Sequence, residues 1–352
     1  MAQRKPFQLG DVRVAPGSRA TIDLPVMDLS IHAPLSMPVH VVHGRREGPV
    51  LFVCAAIHGD EINGVEIIRR VMQLSALKRM AGTLVAVPIV NLFGFLAGTR
   101  YLPDRRDLNR SFPGSDTGSL AGRLANLFLS EIVAKTDYGI DLHTGAIHRT
   151  NFPQVRADLD DAETAELAAA FGVPVVINAG LREGSLRASA GKHGARVLVY
   201  EAGEALRFDE TCIRAGVTGV VKVMRKLGMV PARRGRNRAV EPLTIRNSRW
   251  ERAATSGILR AAVELGGSVH KGDRLGAISN PFGENEVEVT ARFDGVVIGR
   301  ATLPVVNEGD ALFHIGLYEG TKASADALDA FEPDVDYDSG ATAELATEPP
   351  IV

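Results

Sequence analysis

The stretch PVLFVCAAIHGDEINGVEIIRRVMQLSAL, residues 49–77, changes texture at its centre. Its first nine residues are an apolar run of the kind that forms a buried strand. From Gly64 onward the apolar residues recur at helical spacing. At the junction stand His58, Asp60 and Glu61. A loop followed by a helix N-terminus would account for the two acids, because orphan N–H groups and the helix dipole favour negative charge there. Three metal-capable side chains at the exit of a buried strand equally suit a metal site. The rest of the chain has to decide between these readings.

The same alternation continues to about residue 230. Apolar runs rich in Val and Ile predict strands at PVLFVCAAI (49–57), TLVAVPIV (83–90), YGIDL (138–142), VPVVI (173–177) and ARVLVYEAG (195–203). Helical patterns lie between or beyond them at 64–77, 120–135, 161–172 and 210–228. Strands alternating with helices predict an α/β fold, with a mixed, largely parallel sheet flanked by helices on both faces. Ligand sites in such folds gather outside the carboxyl ends of the strands. His58, His143 and Glu201 each occupy such an end.

Beyond Gly228 the rhythm breaks. The basic stretch PARRGRNRAVEP (231–242) reads as a solvated connector, and after it short strands with Gly-Asp and Asp-Gly turns predict a small all-β module. From Thr321 there are eight acidic residues, three prolines and a single lysine, the composition of a disordered tail. The expected division is an N-terminal β extension (1–45), an α/β domain (46–230), a linker (231–245), a C-terminal β-sandwich module (246–318) and an acidic tail (319–352). A length of 352 residues suits two domains, and a formal net charge of −2 argues against a nucleic-acid or anionic-membrane partner. The N-terminus has no apolar signal core, no run is long enough to span a bilayer, and two cysteines make no disulfide framework. A reducing cytoplasm is the expected compartment.

Zinc that activates water takes three protein ligands and keeps one open position. His58 and Glu61 form H-x-x-E at a strand-to-helix turn, and DLHTG (141–145) offers His143 from another strand end. Each signal is weak alone, since a histidine after a strand is commonly structural. Asp141 lies two residues before His143, on the same side of the strand, where it can orient an imidazole N–H. The loop RYLPDRRDLNRSFPG (100–114) reads either as a charged surface loop or as a binding element. In the second reading Asn109 and Arg110 suit a substrate carboxylate, and Arg100 suits a developing oxyanion. Glu201 ends an apolar strand and fits a general base, with Glu204 its local competitor. No G-x-S-x-G follows a strand, which argues against a serine hydrolase.

In this order, HGDEINGVE, DLNRSFPG, DLHTG and YEAGE resemble the succinylglutamate desuccinylase/aspartoacylase family, a relative of the zinc carboxypeptidases. The resemblance covers roughly residues 45–318. It implies a zinc carboxypeptidase-like fold and one Zn²⁺ per chain bound by His58, Glu61 and His143. It also implies Glu201 as general base, Asn109 and Arg110 on a carboxylate, and Arg100 on the scissile carbonyl. The loop between Arg100 and Asn109 is longer than in the aspartoacylase branch, which leaves Arg105 or Arg106 as substitutes for Arg100. The implied activity is zinc-dependent removal of an N-acyl group from an amino acid or related small carboxylate-bearing amine. The alternatives are a carboxypeptidase acting on peptides and a catalytically silent binding protein on the same fold. The C-terminal module resembles a lipoyl/biotinyl-type β-sandwich, but its tip near NPFGENE (280–286) has no lysine, and none occurs between Lys271 and Lys322. A lid over the site, or a homo-oligomer contact through or near the module, is therefore expected in place of carrier function.

Overall fold

The computed structural model describes residues 4–231 and 241–317. The expected acidic tail, and residues 232–240 of the expected linker, lie outside the described residues. The chain opens with a hairpin, β1 (Phe7–Leu9) and β2 (Val12–Val14). The strands of the α/β part are β3 (Ser18–Asp28), β4 (Pro34–His43), β5 (Arg46–Ala55), β6 (Ala81–Val87), β7 (Tyr138–Gly145), β8 (Arg149–Ala157), β9 (Val175–Asn178), β10 (Arg196–Glu204) and β11 (Leu243–Ile245). The remaining strands are β12 (Asn247–Arg252), β13 (Gly257–Ala261), β14 (Ser268–Val269), β15 (Arg274–Ser279), β16 (Val287–Thr290), β17 (Gly295–Ala301), β18 (Val305–Val306) and β19 (Ala311–Leu317).

The main sheet runs in the order β12-β19-β17-β8-β10-β7-β5-β6-β4-β3, with β9, β11 and β14 branching from it. Its centre is parallel, since β6, β5, β7 and β10 all point the same way. The carboxyl ends of β5, β7 and β10 therefore open at one edge. The helices are α1 (Asn63–Met72), α2 (Leu92–Ala97), α3 (Leu120–Glu131), α4 (Ala162–Phe171), α5 (Leu186–Lys192) and α6 (Glu210–Lys226). One face of the sheet packs α1, α4 and α6 through Ile67, Phe171 and Val220; the other packs α3 and α5 through Phe128 and Leu186. Strand β5 shows why its sequence is a continuous apolar run. Leu51, Val53 and Ala55 enter one core, Phe52 and Cys54 the other, so no position from Leu51 to Ala55 faces water.

Several elements depart from the sequence reading, among them the short helix α2 at Leu92–Ala97, which it did not contain. Helix α1 stops at Met72, Leu74 turns extended, and a 3-10 turn over Ser75–Arg79 buries Leu77 on the way to β6. Helix α5, a short segment, was not anticipated. Nor was β8, which contains Pro153, a residue that argues against a central strand. The proline is tolerated because β8 changes neighbour around it. Residues 149–151 pair with β17 and residues 154–157 pair with β9.

The C-terminal all-β region is present. Its outer sheet, β16-β15-β13-β18, covers a core of Leu275, Ile278 and Phe313. Strands β17, β19 and β12 meanwhile continue the main sheet. A separate apolar seam of Val175, Ile177, Leu243, Ile245, Val296 and Ile298 joins β9 and β11 to β17. Ile298 is fully buried there. Ile298→Ala is expected to cost about 2–5 kcal/mol by lost burial and the cavity left behind, read from the urea midpoint. A loss below about 0.5 kcal/mol would show that the seam collapses freely.

Candidate metal centre and active site

Ala56, immediately after β5, has a left-handed backbone (φ 51°), which turns the chain sharply before His58. Gly59 then passes so close to α2 that a Cβ there would stand 1.9 Å from the backbone of Gly94. The turn thus requires glycine, and it brings His58 and Glu61 back over the sheet edge. Asn63 fixes the start of α1. Its amide donates to Ala202 O at 3.2 Å, and its carbonyl accepts from Asp209 N at 3.0 Å. The loop carrying Glu61 is in this way tied to the end of β10. His143 and Glu201 are paired residues on the parallel strands β7 and β10, so their side chains leave the same face.

These elements bring His58, Glu61 and His143 together, all buried, with one ligating atom of each within 4.8 Å of the others. The Nδ1 atoms of His58 and His143 lie 2.8 and 2.7 Å from the two oxygens of Glu61. Each ring's outer nitrogen has its own carboxylate. His58 Nε2 meets Asp107 Oδ1 at 3.1 Å, and His143 Nε2 meets Asp141 Oδ2 at 2.8 Å. Two imidazoles with converging inner nitrogens, anchored outer nitrogens and a carboxylate between them are a donor set suited to a divalent metal. Behind Asp141 the buried Cys54 thiol lies 3.4 Å from Asp141 Oδ1. Burial and the Asp141 charge push the Cys54 pKa well up, so it remains a thiol.

The electrostatics follow from this packing. Burial alone would raise the Glu61 pKa, but the two facing imidazoles reverse it and hold the carboxyl below its ordinary range. Burial lowers both histidines, and the flanking carboxylates outweigh it and raise them. Asp107 is likewise held low against burial, by His58 and Arg100.

The cluster opens into a cavity of about 460 Å³ lined by Arg100, Asn109, Arg110, Asn151, Glu201 and Trp250 among others. Arg100 contacts Glu61 Oε1 at 3.0 Å and Asp107 Oδ2 at 3.1 Å. Arg105 and Arg106 do not line the cavity, and Arg106 is exposed near Asp104. Asn109 Oδ1 accepts from Leu186 N at 2.9 Å, at the start of α5. Arg110 is at the cavity surface, with the Asp107 charge nearby but no carboxylate at ion-pair distance among the described residues. Glu201 Oε2 accepts a hydrogen bond from Asn151 Nδ2 at 3.0 Å and lies in ion contact with Arg156 Nε at 2.9 Å. Its Oε1 has no hydrogen bond among the described residues. Glu204 points elsewhere, accepting from His148 N and Thr302 Oγ1. A larger hollow of about 760 Å³ near Arg45 and Arg79 has no acid–base or metal-ligating cluster among the described residues, so chemistry and not size locates the site.

With this geometry in place, the match to known proteins is direct. The succinylglutamate desuccinylase/aspartoacylase catalytic domain matches residues 47–227. The chain belongs to this family. The chain is 34% identical over 163 residues to the N-alpha-acetyl-L-2,4-diaminobutyric acid deacetylase of Halomonas elongata, covering 44% of this chain and 47% of that enzyme. The match thus spans about half the length of that relative. Among solved structures, the product-bound ectoine utilization protein EutE (DoeB) of Ruegeria pomeroyi superposes with a TM-score of 0.77 at 24% identity, covering 90% of this chain and all of that one. The succinylglutamate desuccinylase/aspartoacylase of Rhodobacter sphaeroides gives 0.75 at 24% identity, over 86% and 96% of the two chains. At such identity these likenesses establish the family fold.

Sequence reading missed Asp107, Asn63 and Asn151. Asp107 had a usable signal, since a ligating histidine normally has a carboxylate on its other nitrogen and His58 had been given none. His143→Ala is expected to abolish stoichiometric metal binding, and Asp107→Ala to weaken it about 10–100-fold, while Arg106→Ala leaves it unchanged. Competition against a chromophoric chelator measures all three. Full metal occupancy in folded His143→Ala would overturn the ligand set.

Proposed function

We propose that this protein is a zinc-dependent amidohydrolase that removes an N-acyl group from an amino acid or related small carboxylate-bearing amine. The observation that carries the reading is the convergence of His58, Glu61 and His143 beside the open oxygen of Glu201, inside a cavity sized for a small ligand. Bound by those three residues, Zn²⁺ would supply Lewis acidity and lower the pKa of a water. Family membership, and the substrate named for the Halomonas enzyme, support an acylated amino acid.

The remaining steps belong to the chain. Glu201 Oε1 takes the proton of the attacking water and returns it to the leaving nitrogen, while Asn151 and Arg156 hold the carboxylate by its other oxygen. Arg100 stands next to the metal ligands and donates to the oxygen on which charge develops. Asn109 keeps its Nδ2 group for substrate because its Oδ1 is spent on α5. Together with Arg110 it offers a fork to the substrate carboxylate. Residues 46–230 provide this chemistry and the module at 246–318 walls the cavity, through Trp250 and His314, which favours small substrates over peptides. Both cysteines are buried and free, consistent with work in a reducing cytoplasm.

Glu201→Gln is expected to retain zinc and lose about 10²–10⁴-fold in kcat, whereas Glu204→Gln keeps most of the rate. The reverse pattern would reassign the base. On the substrate side, Arg110→Ala is expected to cost about 1.5–3 kcal/mol in kcat/KM, the range for a hydrogen bond to a charged group. Arg110→Lys recovers only part, since an ammonium lacks the fork. Comparing each acylated amino acid with its α-methyl ester tests the clamp. Equal turnover of acid and ester would remove it.

A further inference from the structure

The hollow of about 760 Å³ lies at the far end of the strands from the metal centre. Arg46, on its wall, begins β5, and the loop carrying His58 follows the end of that strand. The 10 residues of β5, at about 3.3 Å each, set the two places about 30 Å apart. The hollow and the catalytic cavity share no lining residue among those described.

Three turns build the hollow: one before β3, one between β4 and β5, and the 3-10 turn over Ser75–Arg79 that leads to β6. Gly17 N donates to His43 O at 2.7 Å and Gly44 N to Gly82 O at 2.9 Å, which ties the turns together. A Cβ on Gly44 would stand 2.2 Å from Met80 O, so the chain passes the 3-10 turn there only as glycine. Both ring nitrogens of the buried His43 are engaged, Nδ1 with Thr83 Oγ1 at 2.9 Å and Nε2 with Lys5 O at 3.0 Å. Backbone and buried side-chain hydrogen bonds thus fix the frame.

Arg19, Arg45, Arg46, Lys78 and Arg79 line the hollow, and among the described residues no carboxylate does. Arg46 Nη2 donates to Arg79 O at 3.1 Å. The side chains of Arg19, Arg45, Lys78 and Arg79 make no hydrogen bond or ion pair with the described residues. The stem of Arg45 lies on Gly17, where a Cβ would stand 2.6 Å from Arg45 Cγ, so packing and not a counter-ion places this guanidinium. The neighbouring acid, Glu47, is turned to Arg4 at 3.5 Å. The sequence after Pro231, which is itself on the wall, adds four arginines and no acid before Glu241.

Five cations around one hollow repel one another, and salt weakens that repulsion without removing it. The chain has 42 acidic residues against 40 basic ones, so the uncompensated charge here is a local arrangement and does not follow from composition. An anion carrying several charges relieves the repulsion, and guanidinium forks match phosphate oxygens in pairs. Beneath the cations the floor is apolar, since the nearly buried Val42, Leu77 and Met80 reach it. The volume suits a small molecule.

We propose that this hollow binds a small phosphate-bearing anion, with Arg45 and Arg79 on the phosphate oxygens and Arg19 and Lys78 adding charge. The site is independent of the proposed amidohydrolase activity. Its phosphate belongs either to an inorganic polyphosphate or to an organic molecule whose remainder covers Val42, Leu77 and Met80.

Calorimetric titration of the full-length protein at low salt, with pyrophosphate, ADP and adenosine, tests this. The two phosphate compounds are expected to bind and adenosine is not. ADP bound more tightly than pyrophosphate supports an organic phosphate lying on the floor; equal or weaker binding of ADP supports the inorganic source. Arg45→Gln and Arg79→Gln are each expected to weaken binding about tenfold or more, the effect of losing a hydrogen bond to a charged group. Arg110→Ala, in the catalytic cavity, and His143→Ala, which removes a metal ligand, should leave it unchanged. Circular dichroism verifies folding of each variant. No binding of either phosphate compound to the wild type below about 1 mM would overturn the site, as would wild-type affinity in folded Arg45→Gln and Arg79→Gln. Binding lost in folded Arg110→Ala or His143→Ala but kept in the other two variants would place the phosphate at the metal centre, and overturns the site equally.

Discussion

Two imidazole rings aimed at one buried carboxylate are the constraint around which the rest of this molecule is arranged. An imidazole can point one nitrogen reliably only if the other is held, and here Asp107 holds His58 while Asp141 holds His143. Three carboxylates and two histidines in so small a volume would repel or go unpaired in almost any other arrangement. Alternating acid and base around the cluster, with Arg100 bridging Glu61 and Asp107, makes their burial tolerable. Cys54 extends the chain of contacts inward, since its thiol meets the Asp141 oxygen not used by His143.

That geometry depends on backbone devices away from the chemistry. The parallel centre of the sheet brings the ends of β5, β7 and β10 to one edge, which places His143 and Glu201 side by side. Gly59 permits the return of the chain across α2, and Gly64 permits α1 to lie close over β5 and β7, where a Cβ would stand 2.6 Å from Ala55 and 2.7 Å from Leu142. Asn63 then pins this helix start to the end of β10. The rigidity of this cluster comes from close packing and buried hydrogen bonds.

The C-terminal module reaches the cavity beside this cluster. Because β17 and β19 extend the main sheet, the module has a fixed register against β8, and Trp250 and His314 reach the cavity from it. A wall made this way narrows the cleft and brings an aromatic face to a cationic side chain. In the proposed activity, the zinc ligands and Glu201 define the reaction, while the arginines and the module define the substrate.

How much of this was legible beforehand depends on the range of the interaction. The apolar runs of β5, β7 and β10 and their alternation with helices are local patterns, and they were enough for the α/β class and the positions of the strand ends. That His58, Glu61 and His143 come together was legible because each adjoins such an end and all three are residue types able to ligate a metal. Strand β8 was not legible, because Pro153 argues against a central strand unless the neighbouring strands are known. Asp107 and Asn63 stood in a loop and at a helix start with no local mark of function. Their roles come from contacts across 49 residues for Asp107 with His58 and 139 for Asn63 with Ala202. The sequence by itself determined the class of the fold and the donor types at the strand ends. Only the tertiary structure decided which charges face one another, because Coulombic and hydrogen-bonding partners are selected by distance in space and not along the chain.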